Sequence, residues 1–452
     1  MKKLSILIPV FLLISSFGFA QISQEVQDNI KQRVDSEKHV GIVVGFLKNG
    51  EETYYSYGKT ALKEGADLNE NSVFEIGSIS KVFTSILLSD QVLKGNMALE
   101  DPLSKYLPEG IKVPERNEKQ ITLKDLATHT SGLPRMPDNF RPADPNNPYI
   151  EYEKEQMYEF LSSHELTRDI GATYEYSNFG MGLLGHLLEL QSGKSYEELV
   201  KERIAAVLEM TDTGITFSPA MEARLAKGHA YGSEVSNWDI TGLAGAGAIR
   251  STAADMLKFI AANINATDSP IAKAMKLSHK TAFQNEEVNF EIGLGWHFAN
   301  EGTVVWHNGG TGGYRAYAGF NKNDNTGVVV LTNCVESVDD IGLHLLNPSN
   351  KLASSEPKEE TPEVEVAIAI LETYEGTYEF APTFSIEITR EENQLFAQAT
   401  SQPKFPIYAS AEDTFFLKVV EANVVFNKDA EGKVTSLTLN QNGQSPKGKK
   451  VK

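Results

Sequence analysis

The sequence holds a single cysteine, Cys334, in 452 residues, which leaves no partner for an intramolecular disulfide. Stability must come from a packed core, and a composition 41% hydrophobic and 23% charged supplies one, enough for two or three domains. Metal and nucleotide chemistry lack their usual carriers. The chain has no His-Glu-x-x-His helix, no paired Cys-x-x-Cys and no Walker-type Gly-x-x-x-x-Gly-Lys, so neither a metal nor another cofactor is expected. Basic residues are in deficit: 42 Lys and Arg against 61 Asp and Glu give a formal net charge of −19. An acidic chain of this kind disfavours nucleic acid and anionic membrane surfaces. No feature of the sequence reports on oligomeric state.

What is present begins with a leader. Residues 1–20, MKKLSILIPVFLLISSFGFA, join two lysines to an apolar run and end in small Gly18 and Ala20 at the minus-three and minus-one positions of a cleavage site. The expectation is an exported protein, periplasmic or secreted in a bacterium, with no stable membrane anchor once the leader is removed. The rival reading is an uncleaved anchor, because Leu4 to Ala20 approaches the minimum spanning length. A lipid anchor at the leader is excluded by the position of Cys334.

Residues 41–57 alternate around Asn49-Gly50, which predicts two antiparallel strands. Apolar positions Ile79, Val82, Phe83, Ile86 and Leu87 recur at helical spacing and stop at Gly95. Residues 108–175 mix Pro-rich loops with short helical pieces, a helix runs from Asn178 to Ser192-Gly193, and Thr252 with Asp255 caps another. From 303 to 333 the period changes to short strand-like runs, an antiparallel meander. These elements predict an α/β (α+β) domain over 21–350, an antiparallel sheet flanked by helices with a helical and loop insertion. An acidic, Pro-bearing linker follows at 351–367. Residues 368–452 alternate in strand-length runs and predict a small all-β barrel or sandwich that carries no visible chemistry.

The stretch FEIGSISK, residues 74–81, places Ser78 one helical turn before Lys81. Ser-x-x-Lys also occurs at Ser56/Lys59, Ser355/Lys358 and Ser401/Lys404, where a strand end, a linker and a loop give it no function. At Ser78 the setting differs. The start of a buried helix favours developing negative charge, and burial of the Lys81 amine should depress its pKa toward that of a useful base. The bland alternative is an N-cap serine beside a snorkelling lysine.

Downstream stand Tyr176-Ser177-Asn178, before a helix, and His307-Asn308-Gly309-Gly310, at a strand end. In that order and at those separations, the three motifs resemble the serine β-lactamase and penicillin-binding protein superfamily, specifically its class C β-lactamase branch. The resemblance covers about residues 40–335. It implies a serine acyl hydrolase in which Ser78 is acylated, Lys81 and Tyr176 relay its proton, and Asn178 orients the substrate amide. The backbone N–H groups of Ser78 and Gly310 would form the oxyanion hole. His307, Asn308 and Gly309 stand where the class C enzymes carry Lys-Thr-Gly, and His307 is expected at the site mouth, charged only in part at neutral pH. β-Lactam hydrolysis is the reading implied first. A DD-peptidase, D-amino-acid peptidase or esterase of the same superfamily is the alternative, and a non-catalytic β-lactam or peptidoglycan sensor is the third.

Overall fold

Asn49 and Gly50 both take positive φ, 53° and 87°, as a two-residue hairpin turn requires. The strands they join are β1 (Gly41–Lys48) and β2 (Glu51–Gly58). The structure, a computed structural model, describes residues 21–265, 267–286, 290–354, 362–381, 384–400, 404–418, 422–441 and 445–451. The leader, Ser355/Lys358 and Ser401 lie outside these residues. Contacts divide the chain into two compact units, Met1–Ser355 and Glu356–Lys452.

In the first unit β1 and β2 join β3 (Phe283–Asn285), β4 (Phe290–Ile292), β5 (His297–Ala299), β6 (Val304–Gly310), β7 (Arg315–Asn321) and β8 (Thr326–Thr332). Together they form one antiparallel sheet, in the order β2-β1-β8-β7-β6-β5-β4-β3. The expected hairpin forms one edge of this sheet, and the expected meander, β6 to β8, lies beside it at the centre. The short strands β3 to β5 are an extension that their sequence, broken by glycine and polar residues, does not announce. β1 and β8 pair as Val43–Leu331 and Val44–Val330, and both read as unbroken apolar runs because both faces of the sheet are covered. Val43, Leu47, Val329 and Leu331 face helix Ala253–Ile264, whereas Ile42, Val44, Val328 and Val330 face helices Gln24–Asp35 and Asp339–Leu346.

Helix α1 is taken here as Ser80–Leu93, which lies wholly inside this unit: Val82, Phe83, Ile86 and Leu87 are all buried, and Phe83 stacks on Phe259 at 4.3 Å between ring centroids. Rings that large contribute about 1.5–3 kcal/mol each on burial. Helix α2, Asn178–Ser192, is capped by the Ser177 hydroxyl, which accepts from Gly180 N–H, and ends at Gly193 with φ of 69°. Among the described residues no helix is long and apolar enough to cross a membrane.

The second unit is a closed eight-stranded antiparallel barrel over residues 376–450, which decides the barrel-or-sandwich alternative. Ile386, Ile388, Leu395, Ile407, Phe415, Val424, Phe426 and Leu437 fill its interior, as a barrel of this size requires. The expected all-β segment, 368–452, opens with a helix instead of a strand, and the first barrel strand begins at Gly376. Tyr374 ends a short helix, Ile368–Tyr374, and its ring stacks on Phe426 at 4.0 Å.

Candidate active site

Ser78 occupies a 3-10 turn, Gly77–Ile79, that leads directly into α1. The turn needs glycine. Gly77 has φ of 51°, and a Cβ there would lie 2.6 Å from the Gly310 nitrogen, so no side chain fits between the turn and the end of β6. Ser80 Oγ accepts from Ile249 N–H at 3.0 Å and pins the first helical turn.

Lys81 lies one turn on, fully buried. Its Nζ donates to Ser78 Oγ at 2.9 Å and to the Ala246 carbonyl at 2.6 Å. Loss of water holds the amine well below the ordinary lysine value, and the nearby Arg135 charge lowers it further. The Lys81 amine therefore gives up its proton far more readily than an exposed lysine does. Ser56/Lys59 shows the contrast: Ser56 Oγ donates to the Leu68 carbonyl while Lys59 pairs with Asp67.

Tyr176 enters from the loop before α2, with its ring centroid 4.8 Å from Lys81 Nζ. Desolvation pushes its phenol up to about 12, partly offset by a hydrogen bond to Ser78. His129 fixes this loop. Its Nδ1 accepts from Ser177 N–H at 3.1 Å, its carbonyl accepts from Glu175 N–H at 2.8 Å, and its ring lies 4.5 Å from that of Tyr176. His129 does so from a backbone φ of 58°, uncommon for a side-chain-bearing residue.

The third segment arrives on β6. Thr311 N–H donates to the Tyr314 carbonyl at 3.1 Å, so the next pair, Gly310 with Arg315, falls in the non-hydrogen-bonded phase of the ladder. The Gly310 N–H therefore points away from β7, toward the Ser78 turn. Asn308 Nδ2 donates to Asp339 Oδ2 at 2.6 Å, which ties the strand end to helix Asp339–Leu346.

Ser78, Tyr176, Asn308, Gly309 and Gly310 converge on one cleft of about 470 Å³. Lys81 and His307 stand behind it, and Asn178 is the first residue of α2, its N–H donating to the Arg135 carbonyl at 3.0 Å. His307 corrects the expectation of a partly charged group at the mouth. It is fully buried in the wall, its Nδ1 faces the Asn308 carbonyl at 2.5 Å, and burial drives it well below the ordinary histidine value. His307 is a neutral imidazole. Nor is it alone: its ring lies 4.9 Å from that of His297, which burial lowers to about 4.

Sequence reasoning missed six residues that line the cleft: Arg135, Tyr174, Trp238, His297, Thr311 and Arg315. Thr311 directly follows the His307–Gly310 motif, Arg315 pairs with Gly310 across the ladder, and Tyr174 lies two before Tyr176. Trp238 has no local signal; it is placed by buried Glu75, which accepts from Trp238 N–H at 2.9 Å and from Asn237 at 3.0 Å. Among the described residues no cluster of His, Cys, Asp and Glu could hold a metal.

The Beta-lactamase family model matches residues 26–346. The chain belongs to the Beta-lactamase family. Its relatives include the D-alanyl-D-alanine-carboxypeptidase/endopeptidase AmpH of Escherichia coli K12, 30% identical over 64% of this chain and 78% of the relative. A β-lactamase of the same organism is 25% identical over 69% and 89%. Penicillin-binding protein 4* of Bacillus subtilis 168 is 26% identical over 88% and 92%. A solved β-lactamase/D-alanine carboxypeptidase from Yersinia pestis superposes with a TM-score of 0.61 at 26% identity, covering 72% of this chain and 96% of that one. Residues 360–450 match a domain of unknown function, DUF3471.

Proposed function

We propose that the protein is an exported serine acyl hydrolase that works through an acyl-Ser78 intermediate, with β-lactam hydrolysis as its first activity. The observation that carries this is the 2.9 Å contact between Ser78 Oγ and the buried amine of Lys81, whose pKa burial holds well below the ordinary lysine value. As Ser78 Oγ attacks the acyl carbon, its proton passes to Lys81 Nζ. The oxyanion that forms is met by the N–H groups of Ser78 and Gly310. Tyr176 then hands a proton to the leaving nitrogen and is replenished by Lys81; in deacylation the pair takes a proton from the attacking water and returns it to Ser78 Oγ as the acyl bond breaks. Asn178 orients the substrate amide, and Asn308 and Gly309 hold the substrate against the edge of β6. The leader, its cleavage and the resulting periplasmic or secreted location belong to this reading.

A second reading, hydrolysis of D-alanyl peptides, is favoured by His307. A neutral imidazole in the wall supplies no fixed charge where a lysine would, and the carboxypeptidase named above is among the relatives of this chain. One experiment separates the two: purified protein and Ser78→Ala are treated with a fluorescent penicillin, a chromogenic cephalosporin and a D-Ala-D-Ala peptide. Fast cephalosporin turnover that vanishes in Ser78→Ala supports the first reading. A penicillin label that persists on Ser78 while the peptide is cleaved replaces it with the second. No adduct with any probe removes the hydrolase assignment.

A further inference from the structure

A second cavity, of about 330 Å³, opens at the far ends of the two helices that carry the site. The N-terminal ends of α1 and α2 hold the Ser78 turn and Asn178, whereas their C-terminal ends bring Gln91, Lys94 and Gln191 to this cavity. A helix of 14 residues at about 1.5 Å per residue sets the two places about 20 Å apart. Three of the four charged side chains that line the cavity are cations, Lys94, Lys194 and Arg203, in a chain whose formal net charge is −19.

These charges do not cancel. Buried Asp90 accepts from Arg203 Nε and Nη2 at 3.0 and 2.9 Å and from Lys94 Nζ at 2.7 Å, one carboxylate between two cations. Lys194 pairs with Glu202, so one positive charge is left over. Hydrogen-bond donors are left over too. Gln91 is only 6% exposed; its Oε1 accepts from Asn96 Nδ2 at 2.9 Å, but its Nε2 makes no hydrogen bond among the described residues, and neither does Arg203 Nη1. One acceptor is orphaned as well: Gln191 Oε1 is buried with no partner among the described residues. Unmatched buried carboxamides cost free energy until something supplies the missing partner. Arg203 itself stands on a π-helical turn, Lys201–Ala205, a feature that frequently marks functional sites.

A single surplus positive charge beside spare donors suits one carboxylate, and the orphaned acceptor asks that the same ligand bring a donor of its own. No aromatic ring lines the cavity, so it offers no platform for a nucleobase or the face of a sugar. We propose that this cavity is a binding site, separate from the catalytic cleft, for a small organic monocarboxylate that also carries an amide N–H or a hydroxyl. The carboxylate lies on Arg203 Nη1, Lys94 and Gln91 Nε2, and the donor meets Gln191. The inference is independent of which bond Ser78 attacks.

Full-length protein labelled with nitrogen-15 at glutamine is titrated with N-acetylglycine, its primary amide, acetate and inorganic phosphate. The readout is the side-chain amide signals of Gln91 and Gln191, assigned by Gln91→Leu and Gln191→Leu. N-acetylglycine is expected to move both signals to saturation. Its amide, which lacks the charge, should bind at least about 10-fold more weakly, and acetate, which lacks the donor, about 5-fold more weakly. Lys94→Gln should weaken N-acetylglycine several-fold. So should Asp90→Asn with Arg203→Gln, a pair of changes that leaves no buried carboxylate unpaired. Unmoved glutamine signals elsewhere in the chain report that each variant is folded. Movement of other glutamine signals only, equal affinity for acid and amide, phosphate binding tighter than N-acetylglycine, or full affinity in both charge variants overturns the proposal.

Discussion

Gly309 faces the Ile76 carbonyl so closely that a Cβ on Gly309 would lie 1.9 Å from that oxygen and 3.1 Å from the Ser78 nitrogen. Two backbones meet there, and no side chain can swing aside to relieve a clash. Gly309→Ala should therefore push the end of β6 off the Ser78 turn. The expected result is a loss of about 1–3 kcal/mol in unfolding free energy together with a fall of at least about 100-fold in Ser78 acylation, read from urea unfolding and penicillin labelling. Wild-type labelling in this variant would separate β6 from the oxyanion site.

Lys81→Met keeps the length of the side chain and removes the base. We expect kcat/KM to fall by about 10²–10⁴, while stability holds within about 1 kcal/mol or rises, because a desolvated amine is no longer buried. Activity within a few-fold of wild type would exclude Lys81 as the base.

The pH dependence of kcat/KM follows from the directions of two shifts. Lys81 is lowered well below the ordinary lysine value, so it loses its proton early on the way up, and the rate should fall only on acidification through that lowered value. Tyr176 is pushed up to about 12, so its phenol keeps its proton across the working range and no alkaline limb should appear near the ordinary tyrosine value of about 10. A single rise centred near 10.5 would contradict the lowered Lys81 amine.

His129→Phe retains an aromatic ring beside Tyr176 but removes the acceptor for Ser177 N–H. The orphaned amide should cost about 1–3 kcal/mol, and the misplaced phenol should lower kcat more than it raises KM. His129→Asn, which keeps an acceptor, should recover part of both. Equal kinetics in all three proteins would assign His129 to packing only.

Acid should unfold the protein early. Burial lowers His39 and His279 to about 3 and His297 to about 4, and holds His129 and His307 well below their usual value. These imidazoles are neutral when folded but take protons at about pH 6.5 when unfolded, so the stability they allow is whole above that pH and is lost as pH falls below it. Each should contribute a slope near 1.4 kcal/mol per pH unit. Urea midpoints should be level from pH 7 to 8 and drop steeply from about 6.5 to 5, and a level profile over that lower range would rule this out.

What the sequence made legible is what local chemistry encodes. The Asn49-Gly50 turn, the apolar period of α1, the Ser177 cap and the alternation of the barrel strands each rest on a few adjacent residues. So do the three motifs, whose glycines are demanded by backbone contact at Gly77 and Gly309. The cleft residues that went unread are brought in by tertiary approach. Arg135 belongs to a Pro-rich loop with no periodic pattern, Trp238 is set by a buried glutamate far away in sequence, and the short strands β3 to β5 are held by their neighbours. His307 was misjudged for a related reason: its position in the motif gave its identity, whereas its charge depends on β5 and His297 packed against it.

The closed barrel has a consequence for what the second unit can recognise. Among the described residues a ring of eight paired strands has no open edge, so it leaves no row of backbone donors and acceptors for an extended chain to zip onto. Its interior is filled by Tyr374, Phe415 and Phe426. Whatever this unit grips, it must read with side chains on the outer wall or with the loops at its rims.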